Sequence, residues 1–435
     1  MEIKTQKLNR SRRSIIAALW VLVEIMIMFL SICQSEAREE KSRFGVQGAT
    51  VKFAQEMKEA GVQITREWIE WEKIEPIKGQ YHWESMDKKV RAANQAGIEI
   101  LGYFVQMPFW AKKEQKIPIK KKFGKGLKPE LSSKPAKASE FCEPKDINDF
   151  RRFAKAVAER YDGRHGHGEM KYIEILNEVT LPEFFDIKNT NYEPWLINGY
   201  EGVKEGNPHA KVLIGAFVNP LDAKEFVDRM LRDVSRYYDI VSFHVYGQDD
   251  ALVTEATRYL KSRMQRYHVT KPIWLTETSA VMPYGGRQIQ DDVAEVVVKR
   301  YARAFGEGVE KVFWFTFVGM PPEEDRREIQ QKTAGLGWAL KTDNIFHPRQ
   351  AYHTYRLMTS KLRGFVWAHR ISDTQYRFNF TDRKPVYILW CENGSCSLPE
   401  GITGEVKVLD CLGNEQVRYT SKLILTENPI FLETK

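Results

Sequence analysis

From residue 43 onward, short apolar runs alternate with longer stretches in which apolar positions recur every three or four residues. The first pattern predicts buried strands and the second amphipathic helices. RFGVQGA (43–49) reads as strand one, 51–60 as a helix stopped by Gly61, and VQITR as strand two, ending at Arg66. A helix over 85–96 stops at Gly97, and IEILGYF is strand three. Ile147, Phe150, Phe153, Ala154 and Val157 stand at helical spacing and predict a helix over 146–161. KYIEILNEVT (171–180) then carries strand four, too apolar to have a wet face. VLIGAF, IVSFHVY, IWLTE and VFWFTF follow as strands five to eight, with helices expected near 193–205, 221–234, 251–267, 290–306 and 350–362. Eight strands each followed by a helix are the number that closes a (β/α)8 barrel, here assigned to residues 38–362. A doubly wound sheet would need a Gly-rich phosphate turn after strand one, and GVQG is a poor match.

Beyond Leu362 the period changes to two: TQYRFNF, KPVYILW, GEVKVLD, LGNEQ and KLILTENPIFLE predict a small antiparallel β domain over 363–435. It is expected as a β-sandwich packed on the barrel, serving structure or carbohydrate binding. A chain of 435 residues, 43% of them hydrophobic, is long enough for both bodies and too apolar for general disorder.

Residues 1–37 stand apart. Five Lys/Arg precede an apolar run from Ile15 to Ile32, and Ser35 and Ala37 offer a small-x-small cleavage site. Three readings stay open: a cleaved export signal, an uncleaved membrane anchor disfavoured by Glu24 at its middle, and a lipoprotein box around Cys33 weakened by Ile32. All three put the body outside the cytoplasm. The net charge of +8 is also local, because residues 112–137 hold ten Lys against two Glu. Such a segment reads as a solvated loop or as a device that concentrates an anionic glycan. It lacks the interleaved aromatics and Arg of a nucleic-acid surface. Cys391 and Cys396 flank a turn-forming Asn-Gly, so they read as a hairpin-closing disulfide or as ordinary thiols. No metal-ligand spacing is present.

The chemistry is expected where strands stop. Strand four runs into Asn177 and Glu178, and strand seven into Glu277, at the strand ends where such barrels place their active sites. Two carboxyl groups in different environments form the machinery of glycosidic bond cleavage. Arg66 can hold Glu277 ionised, Tyr246 can hydrogen-bond the same carboxylate, His244 can line the site, and Asn177 can bind the sugar hydroxyl beside the reacting carbon.

REWIEWEKIEPIKGQYHWESMD, QMPFWA, ILNE, FHVY and LTET together resemble the retaining glycoside hydrolases of clan A, most closely family 39, over roughly residues 43–362. The resemblance implies a barrel with Glu178 as acid/base and Glu277 as nucleophile. It also implies Trp314 as the floor under the sugar, with Gln106 and Trp110 lining subsites. Trp68 and Trp71 read as packing. The expectation is a retaining enzyme that cleaves β-glycosidic bonds in an oligo- or polysaccharide, without cofactor or metal. The rival reading is a non-catalytic glycan-binding protein on the same scaffold. Sugar identity, exo or endo action and oligomeric state do not follow from the sequence.

Overall fold

The computed structural model describes residues 41–113, 139–247, 249–280, 294–319, 335–339, 345–392, 394 and 396–434. The leader and residues 114–138 of the Lys-rich segment lie outside the described residues, so the readings placed on them stay with the sequence. Among the described residues no helix is long and apolar enough to cross a membrane.

Nine parallel segments make the central sheet: β1 (Phe44–Gln47), β2 (Ile64–Glu70), β3 (Glu99–Val105), β4 (Tyr172–Glu174), β5 (Lys211–Leu213), β6 (Phe217–Val218), β7 (Val241–Tyr246), β8 (Ile273–Ser279) and β9 (Lys311–Trp314). The ring closes because β1 pairs with both β2 and β9, while a bridge from Leu213 to Ile240 ties β5 to the start of β7. β5 and β6 are two pieces of the expected fifth strand, which gives the eight-stranded barrel. The break falls at Gly215, where a Cβ would stand 2.7 Å from the Ile175 carbonyl oxygen. The turn leaving β4 crowds the chain there.

Apart from the short α2, which was not expected, the helices fall close to the sequence expectation: α1 (Thr50–Glu59), α2 (Trp71–Ile74), α3 (Glu84–Ala96), α4 (Ile147–Arg160), α5 (Glu193–Gly206), α6 (Lys224–Asp233), α7 (Ala251–Arg266), α8 (Ala294–Gly306) and α9 (Gln350–Leu362). α4 shows the logic. Asp146 caps it by accepting the Asn148 amide, and Phe150, Phe153, Ala154 and Val157 form its buried face. Burying each large side chain of that stripe stabilises by about 1.5 to 3 kcal/mol.

Inside the barrel, alternation along the strands sorts apolar from polar layers. The lower layer consists of Ile64, Leu101, Leu213, Ile240, Trp274 and Phe313, with Tyr172 packed against it. Two residues further along the same strands stand Arg66, Tyr103, Glu174, Ser242, Thr276 and Phe315. The barrel therefore has a dry floor with a polar layer directly above it.

Two-residue strands β10 (Val318–Gly319), β11 (Gly337–Trp338) and β12 (His347–Pro348) form a small sheet. The expected C-terminal sandwich is instead one six-stranded antiparallel sheet among the described residues, in the order β13-β14-β15-β18-β16-β17. Its strands are β13 (Trp367–Ser372), β14 (Gln375–Asn379), β15 (Val386–Leu389), β16 (Glu405–Asp410), β17 (Glu415–Tyr419) and β18 (Ile430–Thr434). No second sheet is required. Tyr376, Phe378, Ile388 and Phe431 join the main core against the barrel helices, while Tyr387, Leu389, Val406 and Leu432 are covered by Ile402, Leu425 and neighbouring loop residues. Cys391 and Cys396 form a disulfide; Cys142 and Cys411 are buried and outside it.

Candidate active site

Arg66 is wholly buried, and its N–H groups reach four partners. Nε donates to Glu174 at 2.8 Å, Nη2 to the Asn177 amide oxygen at 2.8 Å, and Nη1 to Gln47 at 3.2 Å and to Glu277. The guanidinium carbon lies 3.5 Å over the Tyr103 ring. Tyr246 donates to the second oxygen of Glu277. His244 Nδ1 is 2.8 Å from Glu178 and 3.8 Å from Glu277, and its Nε2 is 3.1 Å from the Thr276 hydroxyl. Glu178, His244 and Glu277 each present a donor atom within 4.8 Å of the other two, so the two glutamates meet across one small space.

Local backbone geometry brings them there. β7 pairs Phe243 with Leu275 but His244 with Glu277, so Thr276 is an extra residue in β8. In unbroken alternation Glu277 would share Leu275's outward face. The bulge resets the parity, and both Thr276 and Glu277 reach inward partners. Beyond β4, Leu176 and Glu178 take left-handed φ of 67° and 37°, values that side chains other than glycine seldom adopt. This turn, fixed by the Tyr192 hydroxyl donating to the Ile175 carbonyl at 2.8 Å, leaves Glu178 facing His244. Strain of this kind collects at functional sites.

Electrostatics separate the two acids. Burial pushes the Glu178 carboxyl up to about 7, and Arg66 opposes the shift without touching it. Burial also raises Glu277, but His244, Arg66 and the Tyr246 hydroxyl all oppose that rise, the last two in direct contact. Glu277 is thus the acid better held as a carboxylate. Burial lowers His244 to about 4, so the imidazole is neutral near pH 7. We assign its proton to Nδ1, which faces the carboxyls, leaving Nε2 to accept the Thr276 hydroxyl. Glu178, His244 and Glu277 are also the donor types that bind a divalent cation. Arg66 already supplies the positive charge at Glu277, and both His244 nitrogens are engaged.

Of the residues singled out in the sequence, Glu178, Glu277, Arg66, Asn177, His244 and Tyr246 converge. Arg66 lies within β2, not at its end, because the strand continues to Glu70. Gln106 and Trp110 are not joined to this network. The Gln106 backbone bonds Glu72 and Glu140, and the Trp110 ring N–H bonds the Glu75 carbonyl at 2.8 Å. Trp314 is a correction: its side chain is 0% exposed in the main core, so it cannot form the floor under a sugar. Phe313 faces the barrel interior, hence its neighbour faces the helices. Phe315 is the partly exposed inward ring, 5.9 Å from Tyr246. Glu174 was missed in the sequence. Fully buried on β4, it bonds Arg66 and the Ser242 hydroxyl, each at 2.8 Å. An acid in the middle of an apolar strand was its signal.

Comparisons with known proteins agree with this architecture. A family model described as beta-galactosidase, of glycosyl hydrolase family 42, matches residues 48–212, and one described as glycosyl hydrolase catalytic core matches residues 206–333. No curated protein sequence matches the chain. A family 39 glycoside hydrolase from the gut symbiont Bacteroides cellulosilyticus superposes with a TM-score of 0.63 at 18% identity, covering 91% of this chain and 81% of that one. A family 39 β-xylosidase from Caulobacter crescentus gives 0.60 at 13% identity, with 91% and 96% covered. A family 30 endoxylanase from Clostridium papyrosolvens gives 0.59 at 11% identity, with 91% and 97% covered. With two glycoside hydrolase models along its barrel and this fold around them, the chain is a glycoside hydrolase, family 39-like in architecture.

Proposed function

We propose that the protein is a retaining glycosidase that cleaves β-glycosidic bonds in an oligo- or polysaccharide by double displacement. The observation that carries this reading is the approach of Glu178 and Glu277 to within 4.8 Å, with Arg66 and Tyr246 on Glu277 alone. Retaining enzymes hold their carboxyls about 5 to 5.5 Å apart, and inverting ones about 6.5 to 9.5 Å, to admit a water.

The roles follow from the environments. Glu178, protonated at rest, gives its proton to the departing oxygen while a Glu277 oxygen attacks the anomeric carbon. His244 Nδ1–H holds one Glu178 oxygen and leaves the other free for the transfer. Once Glu277 is esterified its charge is gone, Arg66 is less neutralised, and Glu178 loses its proton more readily. That suits Glu178 to act as base toward the water that releases the sugar. Asn177, oriented by Arg66, is available to the neighbouring sugar hydroxyl.

Export of the body is supported by the layout of residues 1–37 and by the disulfide, which belongs to an oxidising compartment. The +8 segment at 112–137 supports an anionic glycan as substrate. The test of activity is hydrolysis of an aryl β-glycoside panel. The wild type is expected to release the aryl group and Glu277→Gln to fall to background. Equal, background-level rates for both would favour a non-catalytic glycan binder.

A further inference from the structure

A cavity of about 680 Å³ opens between the β1–α1 turn, the upper end of β2 and the segment after β9. Its volume is in the range of small-molecule sites. Gln47 and Phe315 line it, and both belong to the network already described: Gln47 bonds Arg66 and the Tyr103 hydroxyl, and Phe315 packs on Tyr246. The cavity thus adjoins that network through these two side chains.

Trp68 is its aromatic wall. It stands two positions beyond Arg66 on β2, on the same strand face and one layer nearer the mouth. Trp71 is fully buried, whereas Trp68 is 50% exposed, with its carbonyl held by Lys89 at 3.0 Å. Beside it the Glu67 carboxylate is 4% exposed and accepts the Thr50 and Thr65 hydroxyls. A half-open indole beside buried acceptors and an amide suits a sugar ring, whose C–H face is apolar and whose rim carries hydroxyls.

Topology fixes which side of the bond this is. β9 and β1 lie across the ring from β4 and β5, β2 stands beside β1, and Glu178 follows β4. The departing group lies on the side of the acid that protonates it, so the cavity faces the sugar that stays on the enzyme and whatever precedes it. We propose that this cavity is a subsite for a second sugar ring on the non-reducing side of the cleaved bond, with Trp68 as its stacking platform. The enzyme then acts within a chain and does not trim single terminal units. This rests on the catalytic roles proposed above.

The test compares 4-nitrophenyl β-xyloside with β-xylobioside, and β-glucoside with β-cellobioside. In at least one pair the two-sugar substrate is expected to have the higher kcat/KM, by about tenfold or more, because contacts remote from the reacting carbon are expressed in the transition state. Trp68→Ala is expected to bring that ratio close to one while leaving the monoside within about twofold of wild type, and Trp68→Phe to restore most of it. Equal kcat/KM within each pair, or a Trp68→Ala loss that is the same for both lengths, overturns the subsite alone. No hydrolysis of any of the four, nor of any other member of the aryl β-glycoside panel, overturns the catalytic reading and the subsite with it.

Discussion

A guanidinium without water needs its N–H groups answered, and Arg66 has Glu174, Gln47, Asn177 and Glu277 to answer them. Its charge is shared between two carboxylates, which makes Glu174 a positioning residue for the proposed nucleophile. Glu174→Gln keeps an acceptor for Nε and removes a charge. It is expected to lower kcat/KM by about ten- to hundredfold, the usual cost of losing an outer partner of an oriented group. It should also move the acid limb of the pH profile downward, since Arg66 would then favour ionised Glu277 more strongly. An unshifted limb would leave Glu174 as packing only. Glu178 sets the other limb. Raised by burial to about 7, it must be protonated to serve as the proposed acid, so activity is expected to be full below that pH and to fall as pH rises through it. The alkaline limb of kcat/KM measures this directly, and a limb near 10 would assign the acid to another group.

At the scale of elements, position depends on small departures from regularity. The β8 bulge and the left-handed turn at Leu176 and Glu178 decide where the two carboxyls point. Neither is readable from apolar spacing, which nevertheless placed every barrel strand. The same one-residue sensitivity explains Trp314: in VFWFTF all the candidates are aromatic, so the letters do not tell which parity faces inward. Arg66 and Tyr246 were legible because polar groups set in apolar strands have few structural reasons to be there. α4 and α5 brace β4 from outside, and their contact leaves no room at Gly202, where a Cβ would lie 2.2 Å from the Arg151 carbonyl oxygen. Gly202→Ala is expected to destabilise the fold by about 1 to 3 kcal/mol through overpacking. Thermal unfolding reads this, and an unchanged midpoint would show that the helix pair can separate at no cost.

Over the whole molecule, the (β/α)8 barrel with an antiparallel sheet beside it was legible from two periods, 3.6 and 2, and from a count of strands. The single-layered form of the C-terminal sheet was not. Whether a period-two strand packs on a second sheet, on helices or on loops depends on partners far away in sequence, here α8, α9 and the loop around Leu425. What the architecture accomplishes is convergence: Glu178 and Glu277, on opposite halves of the chain, share one polar layer above an apolar floor. The most direct test is proton NMR of the first sugar released from an aryl β-glycoside, recorded before mutarotation. The β-anomer is expected, the configuration left by two displacements at one carbon; the α-anomer as first product would contradict a retaining double displacement.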